Sequence, residues 1–275
     1  MIPKGRLVFI NSEDQLLDKN VEASPEIKCT KLLSFLNDFK QDPVKVLIGR
    51  QHFSKNQKRF YSRALSAAGY SNFKFILLSK ENIIQKKTNT ELSDAKVIFF
   101  VGDHTQSYEI LKNSPILKIW QRRYMTENGF TIGGMSDGAS CISQSMIIKN
   151  DYNYLNSNKE IKLCSGLGFL HNCIIDAKYI QETEYDQLAE TVVKHQNLMA
   201  IGLGNDTAFI VENGQGICKG DGTIIVVRTS DVLYRSDKVN SNYEFYLKNP
   251  KGRVLINGCT VNLADNAEIV CEEDY

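Results

Sequence analysis

The sequence predicts an α/β protein with a mostly parallel sheet, helices on both of its faces and an antiparallel, β-rich C-terminal third. Two patterns predict this fold class. Through the first half, short β-branched and aromatic runs alternate with segments whose apolar residues recur every three or four positions. This is the pattern of strands alternating with amphipathic helices, which form right-handed crossovers between parallel strands. Beyond residue 198, short strands follow one another through turns instead.

The parallel half of the sheet is expected to begin at residue 6. Short apolar runs predict strands at 6–11, 44–49, 73–78, 97–102 and 130–133. Helical spacing of apolar residues predicts helices at 26–39, 54–68, 114–128, 139–148 and 181–195. The strands are therefore expected to be joined by helices that cover the sheet.

The C-terminal third is expected to extend the same sheet. Its predicted strands are 199–203, 207–212, 216–219, 223–228 and 253–256. They are joined by turns such as Glu-Asn-Gly at 212–214, so their pairing should be antiparallel. Because no repeat, low-complexity tract or linker-like segment divides the chain, residues 1–275 are expected to form one domain.

The overall charge excludes several function classes. The chain has 33 Lys and Arg against 32 Asp and Glu, a net charge of +1, with 42% hydrophobic residues. A balanced charge supplies no field that would hold nucleic acid or an anionic membrane, so neither is expected as a partner. The apolar run at 7–10 is too short for a signal peptide or a membrane span.

The residue types that bind metals are scattered. Seven cysteines and four histidines show no zinc-site spacing. An odd number of cysteines without a CxxC pair is typical of free thiols in a reducing cytosol. We therefore expect no metal, no other cofactor and a cytoplasmic location.

One short motif points to covalent chemistry. Residues 134–138 read Gly-Met-Ser-Asp-Gly, directly after a predicted strand and before a predicted helix. This is the setting of a nucleophile elbow, in which a strained turn raises a serine hydroxyl above the sheet, here that of Ser136. The N–H group after the serine, that of Asp137, would then stabilise an oxyanion. The alternative is a Gly-rich turn in which Ser136 only caps the helix.

The segment around this motif resembles the nucleophile segment of the cyanophycinase and aspartyl dipeptidase family of serine peptidases. The resemblance covers residues 130–145, and weaker similarities follow in the family's order at 97–103, 166–176 and 202–208. Together they extend from about residue 6 to residue 262. The resemblance implies a flavodoxin-like three-layer sandwich, a homodimer, and hydrolysis of a peptide or isopeptide bond through an acyl-enzyme at Ser136. It also makes Gly102 a second oxyanion donor.

The chain departs from the family at the residues that would activate the serine. The family's general-base histidine falls on Lys178, and its acidic partner falls on Asn205. A lysine can serve as base without such a partner if its pKa is lowered. The two changes fit a Ser136–Lys178 dyad or an inactive triad equally well. His104 is a third candidate base, because its loop should lie beside Ser136.

The expected substrate-binding residues differ as well. The glutamine of the family's Gly-Gly-Asp-Gln loop falls on Thr105, or on Gln106 with a shift of one residue, and the Ile-Asp segment retains Asp176. The arginines that hold substrate carboxylates in cyanophycinases fall on Glu182, Glu184 and Gln187.

These substitutions change the sign of the charge expected at the site. With Asp137 beside the nucleophile, an acidic site would favour a cationic peptide or small molecule, and cyanophycin is not the expected substrate. The alternative interpretation of residues 181–186 is a solvated polar helix face. Two functions remain open: a serine hydrolase, or an inactive homologue that binds a ligand or regulates a partner.

Overall fold

A computed structural model describes residues 2–12, 25–36, 44–50, 54–148, 161–177, 185–231, 233–239, 242–248, 253–263 and 269–270. Its helices are α1 (Pro25–Leu33), α2 (Lys55–Ala67), α3 (Lys80–Ile83), α4 (Lys86–Asp94), α5 (Ser107–Leu111), α6 (Pro115–Thr126), α7 (Asp137–Ser140) and α8 (Tyr185–Lys194). Its strands are β1 (Arg6–Asn11), β2 (Lys45–Arg50), β3 (Phe73–Leu78), β4 (Val97–Val101), β5 (Thr131–Met135), β6 (Ser145–Ile148), β7 (Lys162–Ser165), β8 (Cys173–Asp176), β9 (Met199–Leu203), β10 (Thr207–Glu212), β11 (Gln215–Gly220), β12 (Ile224–Val227), β13 (Leu233–Val239), β14 (Asn242–Lys248), β15 (Arg253–Leu255), β16 (Thr260–Asn262) and β17 (Ile269–Val270).

The main sheet has nine strands, in the order β17-β16-β11-β10-β1-β5-β4-β2-β3. The five strands from β1 to β3 in this order are parallel to one another. The other four are added in antiparallel fashion, beginning with β10 against β1. The predicted α/β class and the mostly parallel core are confirmed.

Both faces of this sheet are covered, as the alternation along β1 shows. Leu7 and Phe9 pack into a core with α4, α5 and α6. Val8 and Ile10 point to the opposite face and pack against α1 and α2. Successive strand residues point to opposite faces, so a strand buried along its whole length, as β1 is, requires an apolar layer on each side.

The C-terminal strands are divided among three sheets, one of them the pair β13 and β14, which corrects the prediction of one continuous extension. β10 and β11 join the main sheet, but β9 and β12 lie in a separate four-stranded sheet of order β15-β12-β9-β8. The chain changes sheets within residues 204–206, where Asp206 adopts φ 57° and Gly204 N–H bonds to Thr223 O at 2.8 Å. Local apolar alternation identifies a strand but not its partner.

The predicted helix at 139–148 is wrong beyond its first turn. The helix ends at Ser140, and Ser145–Ile148 forms strand β6, paired with β7. Between them the backbone bonds to a distant segment, with Leu167 N–H donating to Cys141 O and Phe169 N–H to Ile142 O. Gly166 permits this close approach, because a Cβ there would lie 2.0 Å from Ser143 O. Tertiary hydrogen bonds thus replace the helical ones.

The cysteines are not all free, which corrects another expectation. Free thiols are found at Cys29, Cys141, Cys164, Cys173 and Cys218. Cys259, which directly precedes β16, is disulfide-bonded. Within the described part of the chain, no helix combines the length and the apolar character needed to cross a bilayer.

Candidate active site

Ser136 occupies a strained turn at the carboxyl end of β5. Its φ is 53° and its ψ is −123°, a region that a residue with a Cβ rarely adopts and that costs about 1–3 kcal/mol. The turn is held on both sides: Ser136 N–H donates to Ile10 O at 2.9 Å, and Ser136 O accepts from Ala139 N–H at 2.9 Å. The strand–turn–helix setting predicted for the motif is therefore present.

Both glycines of the motif are required by close backbone contacts. A Cβ on Gly134 would lie 2.2 Å from Gly138 O, and a Cβ on Gly138 would lie 2.3 Å from Phe100 O. Such distances are far below van der Waals contact. The motif thus packs the start of α7 directly onto the carboxyl end of β4.

The Ser136 side chain does not cap the helix. Ser136 stands at the N-cap position of α7, but its side chain makes no capping hydrogen bond. This observation disfavours the interpretation of the motif as a simple cap, because a capping serine accepts from an N–H of the first turn. The residue is 5% exposed, so its hydroxyl lies in a recess and not on the open surface.

The loop after β4 contributes to the same edge of the sheet. Gly102 adopts φ 86°, and Asp103 Oδ1 accepts hydrogen bonds from Thr105 N–H at 2.9 Å and Thr105 Oγ at 2.8 Å. Gln106 is exposed and directly precedes α5. The Thr105 hydroxyl is thus used to shape the loop, while the Gln106 side chain faces outward.

His104 is held inside the molecule by hydrogen bonds at both ring nitrogens. Its Nε2 lies 3.1 Å from Ile48 O and 3.1 Å from Val101 O, and its Nδ1 lies 2.7 Å from Ser107 Oγ. The ring is fully buried and meets Phe100 edge-on at 5.0 Å. Two carbonyl acceptors at Nε2 require a proton there. These contacts connect β2, β4 and α5, and they engage both nitrogens that a general base would use.

The carboxyl end of β8 lies beside α7. Asp176 ends β8 and is 4% exposed, and Ala177 N–H donates to Ser140 Oγ at 3.5 Å. The next residue is Lys178. Lys178, Glu182 and Glu184 lie outside the described residues, so their predicted roles stay predictions.

Two further predicted residues lie on elements around this edge. Gln187 is half-buried in the first turn of α8, and its buried Oε1 accepts from none of the described residues. Asn205 is exposed in the turn between β9 and β10, where its Oδ1 lies 3.4 Å from Asn11 Nδ2. Asn11 ends β1, the strand that also bonds Ser136 through Ile10, so Asn205 is close to the carboxyl edge.

Two carboxylates, Asp103 and Asp137, give this edge an acidic character. Burial raises the pKa of the Cys141 thiol well above its ordinary value, and the charges of Asp137 and Asp103 raise it further. Burial and Asp103 likewise raise the pKa of Cys164. Both thiols therefore stay protonated and weakly nucleophilic near neutral pH. Asp103 was not predicted as a site residue, although a polar residue directly after a buried parallel strand is a signal for one.

No metal site accompanies this arrangement in the described parts of the chain. Among those residues, no group of three or more His, Cys, Asp or Glu side chains could hold a metal ion.

Comparison with solved structures places this geometry in a known fold. A crystal structure of a peptidase from an acI-B1 actinobacterium matches 94% of this chain and 97% of that one, with a TM-score of 0.58 and 17% sequence identity. A crystal structure of a putative peptidase E protein from Listeria monocytogenes EGD-e matches 78% of this chain and 98% of that one, with a TM-score of 0.50 and 14% identity. At these identities the likeness concerns the fold.

Sequence comparison identifies the family. A cyanophycinase from Synechococcus elongatus is 26% identical over 183 residues, 65% of this chain and 56% of the relative. One from Trichormus variabilis is 21% identical over 182 residues, 65% of this chain and 61% of the relative. The chain thus spans less than two thirds of the length of these relatives. The profile of peptidase family S51 matches residues 30–218, more than half of the sequence, and the chain belongs to peptidase family S51.

Proposed function

We propose that the protein is a serine hydrolase that cleaves a peptide or isopeptide bond through an acyl-enzyme at Ser136. The observation that carries this proposal is the backbone of Ser136, with φ 53° and ψ −123° in a turn closed by two tightly packed glycines. A serine with no special task would not need this strain, which persists only where the surroundings impose it. Membership of peptidase family S51 supports the same reaction class.

The reaction needs a group that takes the proton of Ser136. In the proposed sequence the Ser136 Oγ attacks the carbonyl carbon, its proton passes to a base, and the base returns a proton to the leaving amine. Water then cleaves the ester by the reverse transfers. Lys178 is our proposed base: the preceding residue, Ala177, is hydrogen-bonded to α7. His104 is less suitable, because its nitrogens bind Ile48, Val101 and Ser107.

The tetrahedral oxyanion requires donors beside Ser136. We propose the backbone N–H groups of Asp137 and Gly102, which stand on the two loops that the Gly138–Phe100 contact brings together. The nearby carboxylates of Asp103 and Asp137 oppose the developing negative charge. A positively charged group of the substrate would offset that opposition.

A cationic peptide or small molecule is therefore the proposed substrate. Its binding residues would be Thr105, Gln106, Asp176, Glu182, Glu184 and Gln187. Cyanophycin is not the proposed substrate, because none of the three positions that match the family's arginines is basic. We include in the proposal that the protein acts in the cytoplasm as a homodimer, as the resemblance implies.

A second candidate function is a non-catalytic binding or regulatory protein. The sequence observation that favours it is the pair Lys178 and Asn205, where relatives carry a histidine and an acidic residue. Such a homologue would retain the strained turn as inherited structure while binding a ligand at the altered edge.

Labelling with a fluorophosphonate distinguishes the two functions. The expected result is one adduct on Ser136, found by peptide mass spectrometry, and its loss in Ser136→Ala. The matched control is Ser143→Ala, since Ser143 is fully buried and its hydroxyl bonds to none of the described residues. It should be labelled like wild type. Absence of labelling from neutral to alkaline pH would overturn the hydrolase proposal and support the binding protein.

A further inference from the structure

A large cleft lies at the end of the main sheet that faces away from Ser136. Its volume is about 840 Å³, and its lining includes Pro3, before β1, and Asn213 and Gly214, in the turn between β10 and β11. Because Val211 pairs with Leu7 at the start of β1, this turn marks the amino edge of the parallel strands. Ser136 directly follows β5 and so lies at the opposite edge, where the parallel strands have their carboxyl ends. The cleft is therefore separate from the candidate active site, and none of residues 134–140 lines it.

The described residues that line the cleft carry no carboxylate, ammonium or guanidinium group. None of its eighteen lining residues is Asp, Glu, Lys or Arg, although such residues make up 24% of the chain. The ammonium of Lys112, which is outside the lining, lies 6.0 Å from the ring centre of Tyr108 in the wall. A charged ligand would lose hydration here without gaining an ion pair, which is costly. The lining thus selects uncharged molecules.

Some polar groups of the wall are held in place by hydrogen bonds. Gln121 Nε2 donates to Leu167 O at 3.0 Å, and Gln144 Oε1 lies 3.0 Å from His171 Nδ1. These contacts hold the side chain of Gln121 in α6 and that of Gln144, which directly precedes β6. A wall with fixed polar groups among apolar and aromatic side chains is typical of small-molecule sites.

Tyr124 adds a donor that lacks an acceptor. The residue lines the cleft and is only 5% exposed, and its hydroxyl hydrogen-bonds to none of the described residues. Phe169 packs edge-on against its ring at 5.7 Å. Burial raises the pKa of Tyr124 far above its ordinary value, so the hydroxyl keeps its proton. The hydroxyl oxygen is not among the fully buried, unpaired side-chain atoms of the described residues, so it can donate to a molecule that enters the cleft.

We propose that this cleft is a binding site for an uncharged, ring-containing small molecule whose carbonyl or similar acceptor is bound by the Tyr124 hydroxyl. In this proposal the ligand's ring packs against the aromatic side chains of Tyr108 and Phe169. The volume of the cleft suits a molecule larger than one ring. None of the residues named for the proposed hydrolase chemistry lines the cleft.

Three probes of equal shape and different charge test the proposal: benzamide, benzoate and benzamidine. Their binding is measured by chemical-shift titration of the full-length protein. We expect benzamide to bind at millimolar concentration and the two ions to bind at least about tenfold more weakly. Tyr124→Phe should weaken benzamide about fivefold to tenfold, the loss of one hydrogen bond, and should leave the binding of toluene, which has no acceptor, unchanged.

Matched variants separate the possible outcomes. Tyr70→Phe removes a hydroxyl that bonds to Ser34 O in another core and should leave benzamide binding unchanged, as should Ser136→Ala. Met125→Glu places a carboxylate in the wall, so this variant should bind benzamidine more tightly than benzamide. It provides a second test if Tyr124→Phe fails to fold. The proposal is overturned if either ion shifts the resonances of the cleft residues at as low a concentration as benzamide does, if Tyr124→Phe leaves benzamide unaffected, or if benzamide does not bind at about 10 mM.

Discussion

The Cβ that Gly138 lacks would lie 2.3 Å from the carbonyl oxygen of Phe100. This relationship joins the start of α7 to the end of β4, and so it brings the loop containing Gly102 and Asp103 next to Ser136. The contact is between backbones, so no side-chain rotation can relieve it. The geometry of the candidate site therefore depends on the absence of one methyl group.

Gly138→Ala should consequently lower both stability and labelling. We expect a loss of about 2–4 kcal/mol in the free energy of unfolding, because α7 and β4 must separate. The comparison variant is Gly69→Ala, at φ 90° with no atom within 4 Å of the added Cβ, where only backbone strain of about 1 kcal/mol is expected. Urea denaturation measures the free energy of unfolding of the two variants. Equal losses in the two variants would contradict the close contact.

The strain at Ser136 predicts that the usual order of stability, in which an alanine variant is more stable than a glycine variant, is reversed at this position. Glycine tolerates φ 53° without a Cβ penalty, so Ser136→Gly should be more stable than Ser136→Ala by about 1 kcal/mol. Ser140 provides the control within the helix, where Ser140→Gly should be less stable than Ser140→Ala by about 0.5–1 kcal/mol. Thermal and urea unfolding would show the two signs. The same order at both positions would argue against a strained Ser136.

The choice of base predicts the pH dependence of labelling. If Lys178 accepts the proton of Ser136, only its neutral form is active, so the rate should rise with pH through a lysine-like ionisation. Lys178→Met should abolish labelling. His104→Asn should reduce stability, because it disturbs the contacts to Ile48 and Val101, but it should keep the same pH profile. Labelling retained in Lys178→Met would exclude Lys178 as the base.

The buried thiol of Cys173 predicts a loss of stability at alkaline pH. Burial raises its pKa from 9.0 to about 12. The folded state therefore holds the proton more tightly than the unfolded state, and this contribution is complete below pH 9 and is lost as the pH rises toward 12. Cys173→Ala lacks the effect, so its stability deficit relative to wild type should shrink by about 1 kcal/mol between pH 8 and pH 10.

Ile175→Val, two residues along β8, is the control for this titration. It removes one methylene from the same core and retains Cys173. Its deficit relative to wild type should be the same at pH 8 and pH 10. A constant deficit for Cys173→Ala as well would contradict the raised pKa of the thiol. Urea unfolding at both pH values provides the measurement.

Local patterns determined most of the strands and the turn at Ser136. The predicted bounds of β1, β3, β9 and β10 agree with the structure, because each strand is a short run rich in β-branched, aromatic or other apolar residues. The Gly-Met-Ser-Asp-Gly motif was recognisable for a similar reason. Its two glycines are required by contacts within a few residues or with the adjacent strand.

Other features depended on partners that are distant in sequence. Strand β6 forms where a helix is predicted, because residues 141–143 bond to residues 167–169. Strand β9 lies outside the main sheet, where it pairs with β8 and β12. No local pattern reports either partner. The cleft lined by Tyr124 also depends on distant partners, since its described lining residues come from seven separate segments of the chain.

The sequence by itself determined the fold class, the strained serine turn and the departures from the family at Lys178 and Asn205, because these follow from residue type and local spacing. Only the tertiary structure decided that His104 is held by Ile48, Val101 and Ser107 and that Asp103 joins Asp137 at the edge. It also decided that the Tyr124 hydroxyl faces an uncharged cleft. The physical reason is that a polar group's role depends on which distant groups it meets after burial.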